Sequence, residues 1–342
     1  MRICFFGTPE PAVPSLGAFI AEPAIKIVRV VTNPDRPAGR GHKLQPSPVK
    51  VAAAEAGLEV WQPERPKTIG PELANLRVDA CAIVAYGAIL PPEVIAAAGA
   101  GFVNLHFSLL PAWRGAAPVA HAILNGDTET GVSCFLLEEG MDTGPVLTER
   151  RTSIGADETA GELTARLAEM GAPALVEAVT GLVDGSLTPQ PQPAEGVSYA
   201  PKITPDHARL AWREHAEALH RAVRAFNPVP GAHTTVRAER LKVHRAQVVD
   251  HGSDPAPGTA TGIDAPAPST ATGTDGVTPG TVTSIDAATG SPIVACGRGA
   301  LRLDEVQPAG KARMSGSSFV NGYQPQGAVL GEDPAAMPDS PA

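Results

Sequence analysis

The chain has 342 residues, of which 43% are hydrophobic and 18% charged, so it is long enough for two domains with buried cores. Its formal net charge of −9 argues against a generic nucleic-acid-binding protein. The four cysteines form no CxxC pair, which argues against a disulfide framework and a zinc site. No apolar run reaches the roughly 18 residues of a membrane span, which argues against a membrane protein. Both observations favour a cytoplasmic location.

Strands and helices alternate from residue 1 to about 186. Runs rich in apolar and β-branched residues predict the strands, and helical periodicity predicts the helices between them. This alternation predicts a Rossmann-like, mostly parallel α/β sheet in a first, catalytic domain at 1–188. The predicted strands are 3–6, 26–32, 58–62, 79–86, 103–107, 132–139 and 145–154, and the predicted helices are 49–56, 91–98, 118–126 and 158–183.

The turn after the first strand carries the sequence FFGTPEPA, residues 5–12. It is not a GxGxxG motif, and prolines that follow a single glycine make a poor cradle for a pyrophosphate. A nicotinamide-dependent enzyme is therefore not expected, despite the α/β pattern.

The second half of the chain has a different pattern. A proline-rich, aperiodic stretch at 189–206 predicts a linker, and an amphipathic basic helix is expected at 207–225. Short strands after it predict a small OB-like β-barrel, which gives a second domain at 207–330. Residues 251–280 contain no Lys, Arg or aromatic side chain and are expected to be a disordered insertion, and 331–342 a flexible tail. The predicted strands are 233–237, 240–249, 280–285, 292–297 and 300–307.

Positive charge is concentrated in two segments. Residues 207–246 contain eight Arg or Lys side chains against three acidic ones, a local charge of +5. The other segment is a Gly- and Pro-rich loop with Arg36, Arg40, Lys43 and Lys50. Either segment could be a solvated surface or a contact for nucleic-acid phosphates. Composition alone leaves both interpretations open.

Polar side chains interrupt the predicted strand FVNLHF, residues 102–107. Asn104 and His106 are two residues apart and so lie on one face, near the end where open α/β sheets build their sites. Asp142, in the loop EEGMDTGP, follows another apolar strand and can reach His106 from the same sheet edge. An Asp beside a His favours the imidazolium, and the Asn104 amide can donate to a developing oxyanion. Together they predict an acyl-transfer site without a Ser or Cys nucleophile, although each residue alone could be structural.

NLHFSLLP, with Asp142 in the loop GMDTGP, resembles the folate-dependent formyltransferase family. The similarity covers residues 1 to about 330, and further motifs resemble the branch of the family that acts on methionyl-tRNA. These motifs are FFGTPEPA, NPDRPAGRG (33–41), LQPSPVK (44–50), VAYGAILP (84–91), SYAPKI (198–203), RAFNPVPGAHT (224–234), VACGRGALRLDEVQPAGKARM (294–314) and FVNG (319–322).

This resemblance implies a translation-initiation reaction: transfer of a formyl group from 10-formyltetrahydrofolate to the α-amino group of methionyl initiator tRNA. The amine attacks the formyl carbon directly, so no metal and no covalent enzyme intermediate are implied. Asn104 and a charged His106 are expected to stabilise the oxyanion. Asp142 is expected to keep His106 protonated and to take protons from the amine. A monomer is the expected oligomeric state.

The resemblance also implies binding positions. Because the family's second domain is a β-barrel of the oligonucleotide-binding type, that domain and the basic 33–50 loop are expected to contact tRNA. The tRNA-binding positions would be Arg36, Arg40 and Lys43. The folate-binding positions would be Ser108, Leu109, Leu110 and Pro111, together with Tyr86, Gly87 and Ile89.

Other functions remain open at this stage. A glycinamide ribonucleotide formyltransferase should end near residue 200, and a sugar-nucleotide formyltransferase should lack the basic loop. A 10-formyltetrahydrofolate hydrolase would have no use for a positive surface that faces tRNA. A non-catalytic RNA-binding protein could use the same basic segments, but it would not need Asn104 and His106.

Overall fold

The computed structural model describes residues 1–38, 43–249 and 276–331. The chain divides into two compact units. Met1–Val119, Thr128–Ile154 and Glu162–Pro201 form the first unit, and the second consists of Ala120–Asp127, Gly155–Gly161 and the chain from Lys202 onward. The segment predicted as a linker, 189–206, thus lies with the first unit as far as Pro201.

Eleven strands and six α-helices precede Lys202 in the described part of the chain. The strands are β1 (Arg2–Gly7), β2 (Lys26–Val31), β3 (Arg36–Ala38), β4 (Lys43–Gln45), β5 (Val60–Trp61), β6 (Ala80–Val84), β7 (Phe102–His106), β8 (Arg114–Gly115), β9 (Glu129–Leu136), β10 (Val146–Ser153) and β11 (Tyr199–Ala200). The helices are α1 (Val13–Ala21), α2 (Pro48–Glu55), α3 (Gly70–Leu76), α4 (Pro92–Ile95), α5 (Pro118–Asn125) and α6 (Ala160–Asp184).

The main sheet of the first unit has seven strands in the order β10-β9-β7-β6-β1-β2-β5. Strands β5, β2, β1, β6 and β7 are parallel, and β9 and β10 continue the sheet with antiparallel pairings. The predicted Rossmann-like, mostly parallel sheet is therefore confirmed. Two small additions are the β3–β4 hairpin and the parallel pair β8–β11.

Aromatic and small apolar side chains fill the core on one side of this sheet. The ring of Phe6 packs edge-on against Phe102 and Tyr86, with centroid distances of 5.1 and 5.5 Å. On β7, Leu105 instead packs against Gly171 of α6. Because neighbouring residues of a strand point to opposite faces, Asn104 and His106 share the face that carries Phe102.

The second unit contains a six-stranded antiparallel sheet. Its strands are β12 (His233–Val236), β13 (Glu239–Val249), β14 (Val282–Ile285), β15 (Pro292–Ala295), β16 (Ala300–Pro308) and β17 (Met314–Ser315), and the later helices are α7 (Ala216–Ala225) and α8 (Gly316–Tyr323). The order is β12-β13-β16-β15-β14, with β17 paired to β16. The predicted small OB-like barrel is confirmed as a curled antiparallel half-barrel.

The basic helix predicted at 207–225 begins only at Ala216. Residues before it run beside the sheet and bond to its backbone: the Leu210 N–H donates to the His233 carbonyl, and the Gly297 N–H donates to the Trp212 carbonyl, each at 2.8 Å. These bonds use backbone N–H and carbonyl groups that a helix would need for its own hydrogen bonds. Pairing with the sheet therefore overrides the helical pattern of the sequence.

Residues 251–275 of the predicted insertion and 332–342 of the predicted tail lie outside the described residues, as does Arg40 in the basic loop. Residues 276–280, at the end of the predicted insertion, are described, and the Gly280 N–H donates to the Ala295 carbonyl at 2.8 Å. Of the helices in the described ranges, including the 25-residue α6, none is long and apolar enough to span a membrane.

Candidate active site

The site begins at the carboxyl end of β7. Asn104 and His106 are on this strand, between β6 and β9, so their backbone is fixed on both sides. Asn104 is half-buried, whereas only 6% of His106 is exposed. The ring of Phe135, on β9, meets the His106 ring edge-on at 6.4 Å between centroids. A strand rise of about 3.3 Å per residue places the two polar residues about 7 Å apart on one face.

Asp142 approaches His106 from the loop after β9. Its Oδ2 lies 3.7 Å from Nδ1 of His106, and the same oxygen accepts the Gly115 N–H at 2.8 Å. The carboxylate is 16% exposed. The backbone of Asp142 is left-handed, with φ of 51°. The structure therefore brings Asp142 and His106 together, as the sequence predicts.

The protonation of His106 follows from its partners. Its Nε2 lies 2.8 Å from the carbonyl oxygen of Trp113, and a carbonyl can only accept, so Nε2 carries a proton. Burial lowers the pKa of His106 below its usual value, although the Asp142 carboxylate and the Trp113 carbonyl favour the charged form. Burial therefore favours the neutral ring, with the proton on Nε2 and with Nδ1 toward Asp142. The expectation that Asp142 keeps His106 protonated stays a prediction, because the carboxylate favours the charged form whereas burial opposes it.

The loop Ser108–Pro111 is held by its own polar groups. Ser108 donates from Oγ to the Ala112 carbonyl at 2.6 Å and is fully buried. Ser133 on β9 donates from Oγ to the Ser108 carbonyl at 2.9 Å and accepts the Leu110 N–H at 3.0 Å. The hydroxyl groups of Ser108 and Ser133 thus shape the loop, and Leu109 is more accessible than Ser108, Leu110 and Pro111.

In the segment after β6, the accessible surface at Gly87 is backbone, and the Tyr86 side chain is buried. Tyr86 is 2% exposed, and its carbonyl accepts bonds from Thr8 Oγ1 at 3.0 Å and Asn33 Nδ2 at 2.6 Å. Gly87 is exposed with φ of 78°, and Ile89 is 92% exposed. Between Gly87 and Ile89 the segment thus presents accessible backbone beside one apolar side chain.

The basic loop is anchored at its base. The β3–β4 hairpin pairs Arg36 with Gln45, and Arg36 is exposed. Asp35 beside it accepts bonds from Lys50 Nζ and Gln62 Nε2, each at 2.7 Å. These two bonds lower the pKa of Asp35. Lys50 is therefore an anchor of the loop rather than an open cation. The backbone of Lys43 lies in β4, and Arg40 is outside the described residues.

Basic side chains of the second unit divide into two groups. Arg221 donates from Nε to the Leu124 carbonyl at 3.1 Å, and Arg224 donates to the Gly155 and Glu158 carbonyls at 3.2 and 3.3 Å. These two hold the backbone of the unit together. The exposed cations on or beside β12 and β13 are Arg237, Arg240 and Arg245.

Sequence reasoning missed the groups that support the pair of Asp142 and His106. The Trp113 carbonyl and the Gly115 N–H are backbone groups without a sequence signature. Gln192 donates to two carbonyls of the Asp142 loop from a stretch predicted to be a linker. The Ser198 hydroxyl accepts the Trp113 N–H at 2.9 Å, and the sequence marks Ser198 only as part of the SYAPKI motif. Among the described residues, no three His, Cys, Asp or Glu side chains are grouped to bind a metal ion.

Family models and curated relatives agree on the kind of protein that this chain resembles. A model described as formyl transferase matches residues 1–179, and one described as formyl transferase, C-terminal domain, matches 202–324. A methionyl-tRNA formyltransferase of Methylococcus capsulatus is 48% identical over 335 residues, which cover 97% of this chain and 100% of that protein. One of Streptomyces coelicolor is 50% identical over 260 residues, which cover 75% of this chain and 84% of that protein.

Solved structures show the same fold at low identity. The N-formyltransferase from Helicobacter canadensis, in complex with folinic acid and dTDP-3-aminofucose, has a TM-score of 0.62 and 16% identity, covering 90% of this chain and 99% of that chain. The methionyl-tRNA formyltransferase from Clostridium thermocellum has a TM-score of 0.53 and 17% identity, covering 74% and 95%. At these identities the likeness concerns the fold alone.

Proposed function

The chain belongs to the methionyl-tRNA formyltransferase family and transfers the formyl group of 10-formyltetrahydrofolate to methionyl-tRNA, and we propose that Asn104, His106 and Asp142 carry out this transfer. The observation that supports these roles best is the approach of Asp142 Oδ2 to His106 Nδ1 at 3.7 Å, beside Asn104 at the carboxyl end of β7. A direct attack by the methionyl amine on the formyl carbon needs no nucleophile from the protein. It needs oxyanion donors and a proton acceptor, which these three residues can supply.

Proton transfer in this proposal starts from the neutral His106. Asp142 takes a proton from the attacking amine, with Oδ1 as the acceptor because Oδ2 already accepts the Gly115 N–H. Negative charge that develops on the formyl oxygen favours the protonated imidazole, so the amine's proton passes on from Asp142 to Nδ1 of His106. When the tetrahedral intermediate collapses, the bond between the formyl carbon and N10 of the folate breaks, and His106 returns this proton to N10, so that tetrahydrofolate leaves. The Asn104 amide donates to the same oxygen. An oxyanion donor of this kind typically contributes about 10²–10³-fold in rate.

The folate site is proposed at the edge formed by two segments. Gly87 and Ile89 present accessible backbone and one apolar side chain, and Leu109 is the accessible residue of the loop after β7. Buried Tyr86 and Ser108 keep these segments in place through their backbone carbonyls. Leu110 and Pro111 are buried and complete the loop.

The acceptor is proposed to be initiator methionyl-tRNA. Three basic residues of the 33–50 loop, Arg36, Arg40 and Lys43, would contact the acceptor stem. The exposed cations Arg237 and Arg240 of the second unit would contact phosphates. Phosphate contacts supply affinity, whereas the choice of initiator over elongator tRNA needs contacts at the acceptor end. In this division of labour the domain at 1–188 is catalytic and that at 207–330 binds tRNA. We further propose a monomer in the cytoplasm.

The proposal is tested with labelled 10-formyltetrahydrofolate and charged initiator or elongator methionyl-tRNA. The wild-type chain should label the initiator aminoacyl group in preference to the elongator. Asp142→Asn should lower kcat by about 10²–10⁴-fold, the range of general acid–base catalysis. Glu139→Gln is the matched control, because Glu139 is an exposed acid on the same loop, and it should retain activity. Folate deformylation without labelled tRNA would indicate a hydrolase or another amine acceptor, and full activity of Asp142→Asn would remove Asp142 from the mechanism.

A further inference from the structure

The side chain of Gln192 links three parts of the active-site unit. Its Oε1 accepts bonds from Nε and Nη2 of Arg114, at 3.1 and 2.6 Å. Its Nε2 donates to the carbonyls of Asp142 and Gly144, each at 2.8 Å. A guanidinium can only donate and a carbonyl can only accept, so this orientation of the amide is the one that satisfies all four bonds. Both N–H groups and both acceptor positions of Gln192 are therefore occupied.

Residues 190–200, which we term the returning segment, hold Gln192 in this place. At one end, Gln190 and Val146 exchange backbone hydrogen bonds of 2.8 Å. At the other end, β11 pairs with β8, and Ser198 accepts the Trp113 N–H. Pro191 and Pro193 flank Gln192 and restrict its backbone to extended conformations. The returning segment therefore fixes Gln192 on both sides while leaving its side chain to face the Asp142 loop.

The Asp142 loop needs such support. Asp142 has a left-handed backbone that L-residues other than Gly adopt at a cost, and such conformations persist when their surroundings fix them. Gly144 is held against the sheet, because a Cβ there would lie within 1.8 Å of the Leu136 carbonyl. Between these two residues, the Gln192 amide binds both carbonyls. The direction of the Asp142 side chain is thus determined by the turn that Gln192 fixes.

We propose that Gln192 is a positioning residue for formyl transfer, which acts by holding the Asp142 carboxylate opposite His106. This inference rests on the proposed roles of Asp142 and His106. Gln192 is not expected to contact the reacting atoms itself. Arg114 orients the amide, and the Gly115 N–H holds the far side of the carboxylate, so that two neighbouring residues of β8 act on Asp142 from opposite ends.

The test compares Gln192→Met, which keeps the length but loses the amide, with Gln192→Glu, which keeps an acceptor for Arg114 but sets a carboxylate oxygen against two carbonyls. Gln190→Met is the matched control: Gln190 lies on the same segment, its side chain is exposed, and its segment bonds use the backbone. Two quantities are measured for each variant. One is kcat and KM for initiator methionyl-tRNA, and the other is the titration of the His106 ring by NMR of histidine-labelled protein.

We expect Gln192→Met to lower kcat by about 10–100-fold, with KM within about threefold of wild type, because misplacement by about 1 Å can cost 10²-fold in rate. Gln192→Glu should lower kcat further, since repulsion replaces two bonds. In both variants the His106 titration should move to lower pH, because the carboxylate that favours its charged form is displaced. Gln190→Met should leave both quantities unchanged.

Two results would overturn the inference. One is an unchanged kcat and His106 titration in Gln192→Met, even if its stability falls, since a purely structural residue would behave in that way. The other is a loss that appears only in KM. If wild-type protein fails to formylate methionyl-tRNA while the His106 titration still depends on Gln192, the proposed function fails and the positioning role stands, so the two failures are distinguishable.

Discussion

A substitution in the core, Gly171→Ala, tests whether helix packing determines where the site residues lie. Gly171 is inside α6 and faces Leu105 of β7, the residue between Asn104 and His106. A Cβ at Gly171 would lie 2.7 Å from Cδ2 and 2.8 Å from Cδ1 of Leu105. Leu105 is 2% exposed and cannot turn into solvent, so the strand or the helix must shift by about 0.7 Å to restore ordinary contact.

The magnitude follows from two opposing effects. Overpacking of a buried contact typically costs about 1–3 kcal/mol, whereas Ala in place of a helical Gly contributes about 1 kcal/mol of helix propensity. We therefore expect the free energy of unfolding to fall by about 1 kcal/mol. Because the shift is carried by the strand that holds Asn104 and His106, kcat should fall about tenfold, less than the 10²-fold of a full 1 Å misplacement.

The assay combines urea unfolding with formyl-transfer kinetics. Gly181→Ala is the matched control, since Gly181 is in the same helix and a Cβ there would lie 2.5 Å from Cγ of Leu187, outside the site. The control should keep kcat. Adding Leu105→Val to Gly171→Ala should restore much of kcat, with a coupling energy of about 0.5–3 kcal/mol expected for residues in contact. If Gly171→Ala is instead stabilising and fully active, Leu105 gives way freely and the reasoning is refuted.

Two further predictions concern pH and salt. Burial lowers the pKa of His106, and also those of His220, His233 and His244, so the unfolded chain binds more protons than the folded one below the ordinary histidine pKa of about 6.5. The free energy of unfolding in urea should therefore decrease between about pH 7.5 and about pH 5.5, by at most about 1.4 kcal/mol per pH unit for each proton. An increase over this range would contradict lowered pKa values for these four histidines. Arg36→Ala should weaken tRNA binding and reduce the slope of log affinity against log salt by about one, as measured by filter binding at several salt concentrations. Weaker binding with an unchanged slope would show that Arg36 does not contact a phosphate.

The part of the site that sequence reasoning could predict depends on a simple geometric rule. Parallel strands present their carboxyl ends at one edge, so Asn104 and His106 could be expected at the edge that carries the site once β7 was identified. That rule does not account for Asp142, because β9 is antiparallel to β7 and ends at Leu136 beside Val103. The loop after β9 brings Asp142 to His106 instead. Their chemistry could also be inferred, because few residue types serve as oxyanion donors or proton acceptors. The protonation state of His106 could not be inferred, since it depends on whether burial lowers the pKa of His106 more than the Asp142 carboxylate raises it. Neither effect can be read from a local sequence pattern.

The supporting residues escaped prediction for a different reason. Gln192 is 50 residues from Asp142 along the chain and lies in a stretch whose prolines lack an N–H and interrupt any ladder. Such a composition predicts a linker on average. The basic stretch at 209–215 shows the converse case, since its helical pattern is overridden by backbone bonds to strands of the second unit.

The returning segment holds Gln192 against the Asp142 loop partly because the chain around Gln192 has no regular structure. A strand would use its backbone N–H groups for pairing and would set alternate side chains on opposite faces. The prolines instead keep the chain extended with few backbone bonds, and one pair of bonds at Gln190 and the short β11 fix its two ends. The amide of Gln192 is then free to bind two carbonyls of a turn that itself has no ladder. Substitution of Pro191 or Pro193 by Ala should therefore increase the mobility of the Asp142 turn more than it lowers the stability of the sheet. The reason is that the described sheet strands make no backbone hydrogen bond to these prolines.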